Sequence, residues 1–310
     1  MKALKLRSAK VFESDVFNSF RRSPGAVLAT VVLAVLVVGS IFAPLWAPQN
    51  TLDPGSYDLM SANTPPATAN ELTAHFFLFG SDDQGRDLLS AVFFGARISL
   101  MVAAGAVLFS AVLGIWAGLA AGFFGGWVDT IIMRLADIQL SLPSLFIALL
   151  TFGLTRSLLP ASARETYAVY IVILAIGISG WVTYARTVRG AVLVERNKEY
   201  VQAAEMLGLS SLQILVRHIL PNVRRPVIII STVSLALAVI TEATLSYLGA
   251  GVPSTSPSLG TLIRLGQDYL FAGEWWIAFF PGFMLFLLAM SANIFGDWLR
   301  DVLDPKARLK

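Results

Sequence analysis

The chain of 310 residues predicts an all-α polytopic membrane protein with six transmembrane helices and both termini in the cytoplasm. Three observations lead there. Apolar residues make up 56% of the sequence and charged residues 14%, against about 25% charged in a soluble domain, and so much apolar surface would aggregate in water. Several stretches are long and apolar enough to cross a hydrocarbon core, which needs about 20 residues of helix. Lysine and arginine crowd into alternate connecting segments, as they do when those segments share the cytoplasmic side.

Taken in order, residues 1–25 form a cytoplasmic N-terminal segment. There Phe12, Val16, Phe17 and Phe20 recur at helical spacing beside basic residues. That suits a short helix lying on the membrane surface, and a disordered leader is the alternative. The first span, 26–47, carries no charge, and its apolar core is longer than the 7–15 residues of a signal peptide. An outer loop, 48–96, follows, with Pro65 and Pro66 in an irregular stretch. The remaining five spans form a core over 97–297, ahead of a cytoplasmic tail, 298–310. They lie within 98–128, from about 130 to 155, and over 167–185, 227–248 and 275–296. Gly122, Gly125 and Gly126 blur the boundary between the second and third. Arg134 and Asp137, one turn apart, read as a pair near the inner surface. Trp275 and Trp276 suit a headgroup boundary.

The charges support this count. The segment before the first span holds Lys2, Lys5, Arg7, Lys10, Arg21 and Arg22, and the segment between spans four and five holds Arg186, Arg189, Arg196, Lys198, Arg217, Arg224 and Arg225. Residues 48–96 have only Arg86 against Asp53, Asp58, Glu71, Asp82, Asp83 and Asp87. An even number of spans puts every basic segment on one side.

Composition excludes several functions. There is no cysteine, and His75 and His218 fall on opposite sides, so thiol chemistry, a Ser/His pair and a His/Cys metal site have no material. No Gly-Lys dipeptide occurs, which rules out a phosphate-binding loop of the Walker type. A net charge of +3 without a basic run gives no sign of nucleic acid.

The most informative stretch is 199–221, EYVQAAEMLGLSSLQILVRHILP. Tyr200, Ala203, Ala204 and Leu207 would share one face of a short helix. Gly208 would stop it in the left-handed conformation, and Ser210 with Gln213 has the spacing of a capping box for a second helix. Leu212, Leu215, Val216 and Ile219 would form that helix's stripe, with Pro221 closing it. By periodicity alone this could be an amphipathic connector on the membrane.

The residues themselves resemble the EAA loop of permease subunits of bacterial ABC importers: Glu-Ala-Ala, three residues, Gly, nine residues, then Ile-x-Leu-Pro. Ala203, Ala204, Gly208, Leu220 and Pro221 match, while Gln202 stands where Glu is usual and His218 where Ile is usual. Further segments resemble the dipeptide/oligopeptide/nickel permeases, above all their C-type subunit. They are 80–87 (GSDDQGRD), 95–99, 125–129, 133–134, 242–249 and 296–305, where Trp298 replaces a frequent Gly.

The resemblance implies a type I ABC importer permease in the bacterial inner membrane, in contact with lipid. It implies no cofactor on this chain, with ATP and Mg on partner ATPases. The implied partners are a second homologous permease, two ATPases and a periplasmic or lipid-anchored binding protein, for import of di- or oligopeptides. Similar permeases carry nickel chelates, glutathione, opines and peptide antibiotics. Gln202, Ala203, Ala204, Glu205, Gly208, Arg217, His218, Leu220 and Pro221 would form the ATPase-docking site. Glu242, a carboxylate inside a span, would line the path or bond a neighbouring helix. Asp82, Asp83, Arg86 and Asp87 would contact the binding protein or partner permease, or form a solvated helix start capped by Ser81. The competing function is an ion-coupled secondary transporter using Glu242, for which the expected internal repeat is missing.

Overall fold

The computed structural model describes residues 18–303, so the expected surface helix around Phe12, Val16 and Phe17, and the tail beyond 303, lie outside it. Twelve helices are numbered here from Pro24: α1 Pro24–Ile41, α2 Ala43–Trp46, α3 Leu88–Phe124, α4 Gly126–Leu140, α5 Ser144–Leu158, α6 Ala161–Arg164, α7 Ala168–Glu195, α8 Glu199–Met206, α9 Ser211–Ile214, α10 Leu220–Tyr247, α11 Leu259–Tyr269 and α12 Trp276–Leu303. Helices α1, α3, α7 and α12 are each long and apolar enough to cross a membrane, as is the continuous rod Ser211–Tyr247.

The third expected span is not a straight helix from about 130. It is the pair α4 and α5, bent by 99°. Pro143 explains the break, because it has no N–H to donate and takes an extended ψ of 136°. Gln139, just before the bend, donates to the α7 carbonyls of Ile178 and Ser179 at 2.9 and 3.0 Å and accepts from Trp181 Nε1 at 2.7 Å.

The broken pair still crosses the bilayer, and helix direction proves it. Along α3, Gly105, Gly114, Gly118 and Gly122 face Ile173, Tyr184, Ala185 and Val192 of α7 in rising order. The two helices therefore run parallel, and the chain between them must return to the outer side. Six crossings result, with both ends of 18–303 on the inner side.

These parallel helices approach closely because their contact is made of small residues. A Cβ on Gly114 would stand 2.5 Å from the carbonyl oxygen of Trp181, and one on Gly118 2.5 Å from that of Ala185. Around this pair lie three apolar clusters. One joins the middle of α3, α5, α7 and α10. A second, on the outer side, joins α1, α3, α11 and α12. The third lies at the inner end, under α8 to α10. Large side chains elsewhere on the spans are exposed, Leu28, Val35, Leu108 and Phe146 among them, and only lipid or a partner subunit can cover such a surface.

The outer loop is more ordered than its prolines suggest. A two-residue hairpin pairs β1, Thr68–Ala69, with β2, Phe76–Phe77, and Asp53 and Asp58 cap single turns of 3₁₀ helix. Trp276 is buried beneath this loop, donating to the Ser81 carbonyl at 3.2 Å, while Trp275 is half exposed. Arg134 does not pair with Asp137: Arg186 of α7 does, and a second clamp of α4 to α7 joins Arg189 to both oxygens of Asp129 at 2.5 and 2.6 Å.

Candidate docking site and the cavities of the membrane core

The inner loop starts where α7 ends. Lys198 Nζ lies 2.6 Å from Glu195 Oε1, and Tyr200 donates its hydroxyl to Glu195 Oε2. The Tyr200 oxygen also accepts from Asn222 Nδ2 at 3.0 Å, and the same amide donates to the His218 carbonyl at 2.7 Å. One phenol thus ties the end of α7, the start of α8 and the start of α10 together. Burial, then the bond to Glu195, pushes the Tyr200 pKa up to about 12, so it stays a donor at neutral pH.

Helix α8 buries Val201 and Ala204 against Leu119, Val188 and Val192 of α3 and α7. Of the four residues expected on one face, Ala204 therefore turns inward and the other three stay outside. Tyr200 and Ala203 point out, Met206 is 89% exposed and Leu207 81%. Gly208 ends the helix with φ +74°, as expected, and a Cβ there would meet nothing within 4 Å. The capping box forms too: Ser210 N–H donates to Gln213 Oε1 at 3.0 Å, and Gln213 N–H to Ser210 Oγ at 3.4 Å. In the second stripe Leu215 and Ile219 are buried with Ile214, while Leu212 and Val216 are exposed. Gln202, Glu205 and Arg217 are exposed, and His218 and Leu220 are half-buried.

Pro221 does not close the unit. Residues Leu215–Ile219 form one π turn, and the helix then runs on into α10. A proline has no N–H for the preceding turn, so a wider turn just before it spares a lost bond. The second helix of the candidate docking loop is therefore the inner end of a rod that runs on to Tyr247.

Segment 80–87 was expected at a surface, and it is buried. Arg86 and Asp82 are each 1% exposed, joined by Nε to Oδ2 at 2.5 Å. Asp82 Oδ1 accepts the N–H groups of Gln84 and Arg86 at 2.9 Å each. The helix cap is Asp87, not Ser81: its carboxylate accepts from Ser90 N–H at 2.8 Å and from Ser90 Oγ. Ser81 instead donates to the Ser61 carbonyl. Asp83 and Gln84 keep part of their surface.

Glu242 is 0% exposed, with Ser246 Oγ donating to Oε1 at 2.7 Å. Ser99 of α3 and Ser258, which caps α11, also lie against the carboxylate. A Cβ on Gly260 would stand 2.2 Å from the Ala243 carbonyl, so α11 rests directly on α10 here. Glu242 thus joins three helices and is closed off from solvent.

Two cavities do open along α10, and nothing in the periodicity marked them. One of about 160 Å³ lies in mid-membrane, bounded by α3, α5, α7 and α10, with hydroxyls from Ser110, Ser144, Ser179, Thr183, Ser234 and Thr241 on its walls. The other, of about 240 Å³, lies at the outer end between α5, α6 and the loop after α10. The signal for the first was the run of Ser and Thr spread over spans two to five, which becomes a lining only once those helices are packed.

Comparison with known proteins agrees with this geometry. The model for binding-protein-dependent transport system inner membrane components matches residues 110–309, and that for the N-terminal TM domain of oligopeptide transport permease C matches 13–66. The oligopeptide transport system permease protein of Bacillus subtilis is 35% identical over 294 residues, covering 95% of this chain and 90% of its own. The di/tripeptide transport system permease protein of Pseudomonas aeruginosa is also 35% identical over 294 residues, covering 95% and 92%. The probable D,D-dipeptide transport system permease protein of Escherichia coli is 36% identical over 285, covering 92% and 89%. Among solved structures, an inward-facing MetNI methionine ABC transporter chain superposes with a TM-score of 0.54 at 20% identity, covering 69% of this chain and 97% of its own.

Proposed function

We propose, from the premise that this chain belongs to the binding-protein-dependent transport system inner membrane components, that its residues 199–221 receive an ATPase's stroke and pass it to α7 and α10. The chain is the transmembrane permease subunit of an ATP-driven importer, multi-pass in the inner membrane, and works with a partner permease and ATPase subunits. Our fuller reading is a heterodimer with a homologous permease, two ATPases holding ATP and Mg, and a periplasmic or lipid-anchored binding protein that delivers substrate. We read the substrate as di- or oligopeptides, which three of the similar permeases carry by name.

The observation that carries the coupling role is the open apolar tip Met206-Leu207-Gly208 on a base of buried Val201 and Ala204. Exposed large apolar side chains on a rigid base are what a partner's groove takes up. The Tyr200 clasp and the π turn join that base to two spans, so a push on the tip moves α7 and α10 together. The hydroxyl-lined cavity between α3, α5, α7 and α10 is our candidate for the path, since two of its walls are the helices that would shift. Burial of Glu242, 0% exposed, counts against an ion-coupled mechanism through it.

The test is to express the tagged chain with its genomic neighbours, solubilise in mild detergent and identify what co-purifies. Wild type should bring down a second permease and an ATPase. Gly208→Arg should reach the membrane and keep the permease but lose the ATPase. A wild-type chain that came out alone and moved solute on an ion gradient without ATP would overturn the assignment.

A further inference from the structure

The outer cavity of about 240 Å³ is lined by more cations than anions. Three guanidinium groups reach its walls, Arg156 from α5, Arg164 from α6 and Arg264 from α11, against one carboxylate, Glu165. Among the described residues none of the three arginines has a carboxylate partner. Arg164 donates only to the Leu159 carbonyl, at 3.2 Å, and Arg156 lies 5.9 Å over the Phe152 ring. Elsewhere Arg86, Arg186 and Arg189 each hold an aspartate.

The backbone leaves room for this. Gly249 has φ +82°, and a Cβ there would lie 3.2 Å from Arg264 Nη1, so a side chain at 249 would crowd that guanidinium. Gly251 continues the same wall. The floor is Ser246, one turn along α10 from Glu242, and Thr241 and Ser234 of the same helix line the mid-membrane cavity below. The cationic cavity is therefore the outer of two cavities strung along the helix that the docking tip would move.

We propose that this cavity takes the C-terminal carboxylate of the transported peptide as it leaves the binding protein. The proposal rests on the peptide reading above and adds which end of the substrate this subunit holds. A guanidinium presents paired N–H donors that match a carboxylate's two oxygens, and three groups without carboxylate partners concentrate that preference at one mouth. Glu165, exposed on the same rim, keeps the site from holding anions so tightly that passage would stall.

The experiment uses the whole transporter in proteoliposomes, with ATP and its binding protein, and radiolabelled alanyl-alanine as probe. Wild type should take it up, and R156Q/R264Q should lower uptake at subsaturating peptide by about tenfold, as expected for loss of charge-assisted bonds. Binding-protein-stimulated ATPase should keep its half-saturation, which shows that the variant is folded and docked, and R156K/R264K should recover part of the uptake. Separately, saturation-transfer NMR on the permease–ATPase complex without binding protein should give a signal for alanyl-alanine, a weaker one for its C-terminal amide, and none in R156Q/R264Q. Uptake unchanged in R156Q/R264Q, or an equal signal for acid and amide, overturns the site while leaving the peptide reading intact. A raised half-saturation for the binding protein makes these arginines a docking surface and overturns the site as well. No uptake of any short peptide by wild type overturns the peptide reading, and this site falls with it.

Discussion

Two segments of this permease carry equally well-marked motifs, 80–87 on the outer side and 199–221 on the inner, yet the fold uses them in opposite ways. In the outer one the charges turn inward: Asp82 and Arg86 are each 1% exposed and pair with one another, and Asp87 caps α3. In the inner one the apolar residues turn outward, with Met206 and Leu207 nearly bare. A motif is thus no guide to exposure. Buried, it holds the architecture; exposed, it is available to a partner. The energetic expectations differ accordingly, because breaking a buried ion pair strands a charge, whereas trimming an exposed side chain does not.

The strongest way to break this contrast is Gly208→Arg. Open space around Gly208 leaves the fold intact apart from strain at positive φ, yet the new side chain stands where the ATPase would sit. Substrate-coupled ATPase should vanish at normal membrane levels, and retained coupling would remove the docking role. Next, Arg86→Ala should destabilise by about 3–5 kcal/mol by leaving Asp82 buried and unpaired. Thermal unfolding in detergent reads this, and Asp82→Asn with Arg86→Met should restore most of it. A mild effect of Arg86→Ala would mean that the outer segment opens to water.

The Met206→Ala and Leu207→Ala pair should then leave unfolding within about 0.5 kcal/mol of wild type while weakening ATPase binding about tenfold. A large stability loss instead would place these side chains inside the fold. The smallest effect concerns pH. The Tyr200 pKa is raised from about 10 in the unfolded chain to about 12 in the folded one, so the neutral phenol stabilises the loop below pH 10. That contribution should fade between pH 10 and 12, by less than about 1 kcal/mol because the group is partly exposed. Tyr200→Phe should flatten this alkaline limb of the unfolding curve.

Much of the inner loop was legible because its determinants are local. The left-handed Gly208 and the reciprocal bonds of Ser210 and Gln213 depend on residues within three positions of each other, and both formed as expected. The inward turn of Ala204 was not legible, because Ala203 and Ala204 are equally apolar and only the packing of α3 and α7 selects between them. Asp137 was misassigned for a related reason. Its helical neighbour Arg134 is near in sequence, but α7 brings Arg186 nearer in space. Trp298, which departs from the family's usual Gly, packs edge-on to Phe20 at 5.0 Å, a contact no local pattern could foretell.

The amino-acid sequence by itself determined that this is a membrane protein of six spans, which side each connection faces and where the proposed docking loop lies. Those properties follow from apolar run length, the placement of lysine and arginine, and short-range caps, each readable along one dimension. Only the tertiary structure decided that the third span is broken, that α3 and α7 run parallel on a glycine stripe, and that the charges of 80–87 are enclosed. It alone gathered Arg156, Arg164 and Arg264 around one outer cavity. The physical reason is that helix direction, burial and pairing depend on which helices touch, and a helix that is apolar on every side carries no mark of which face that will be.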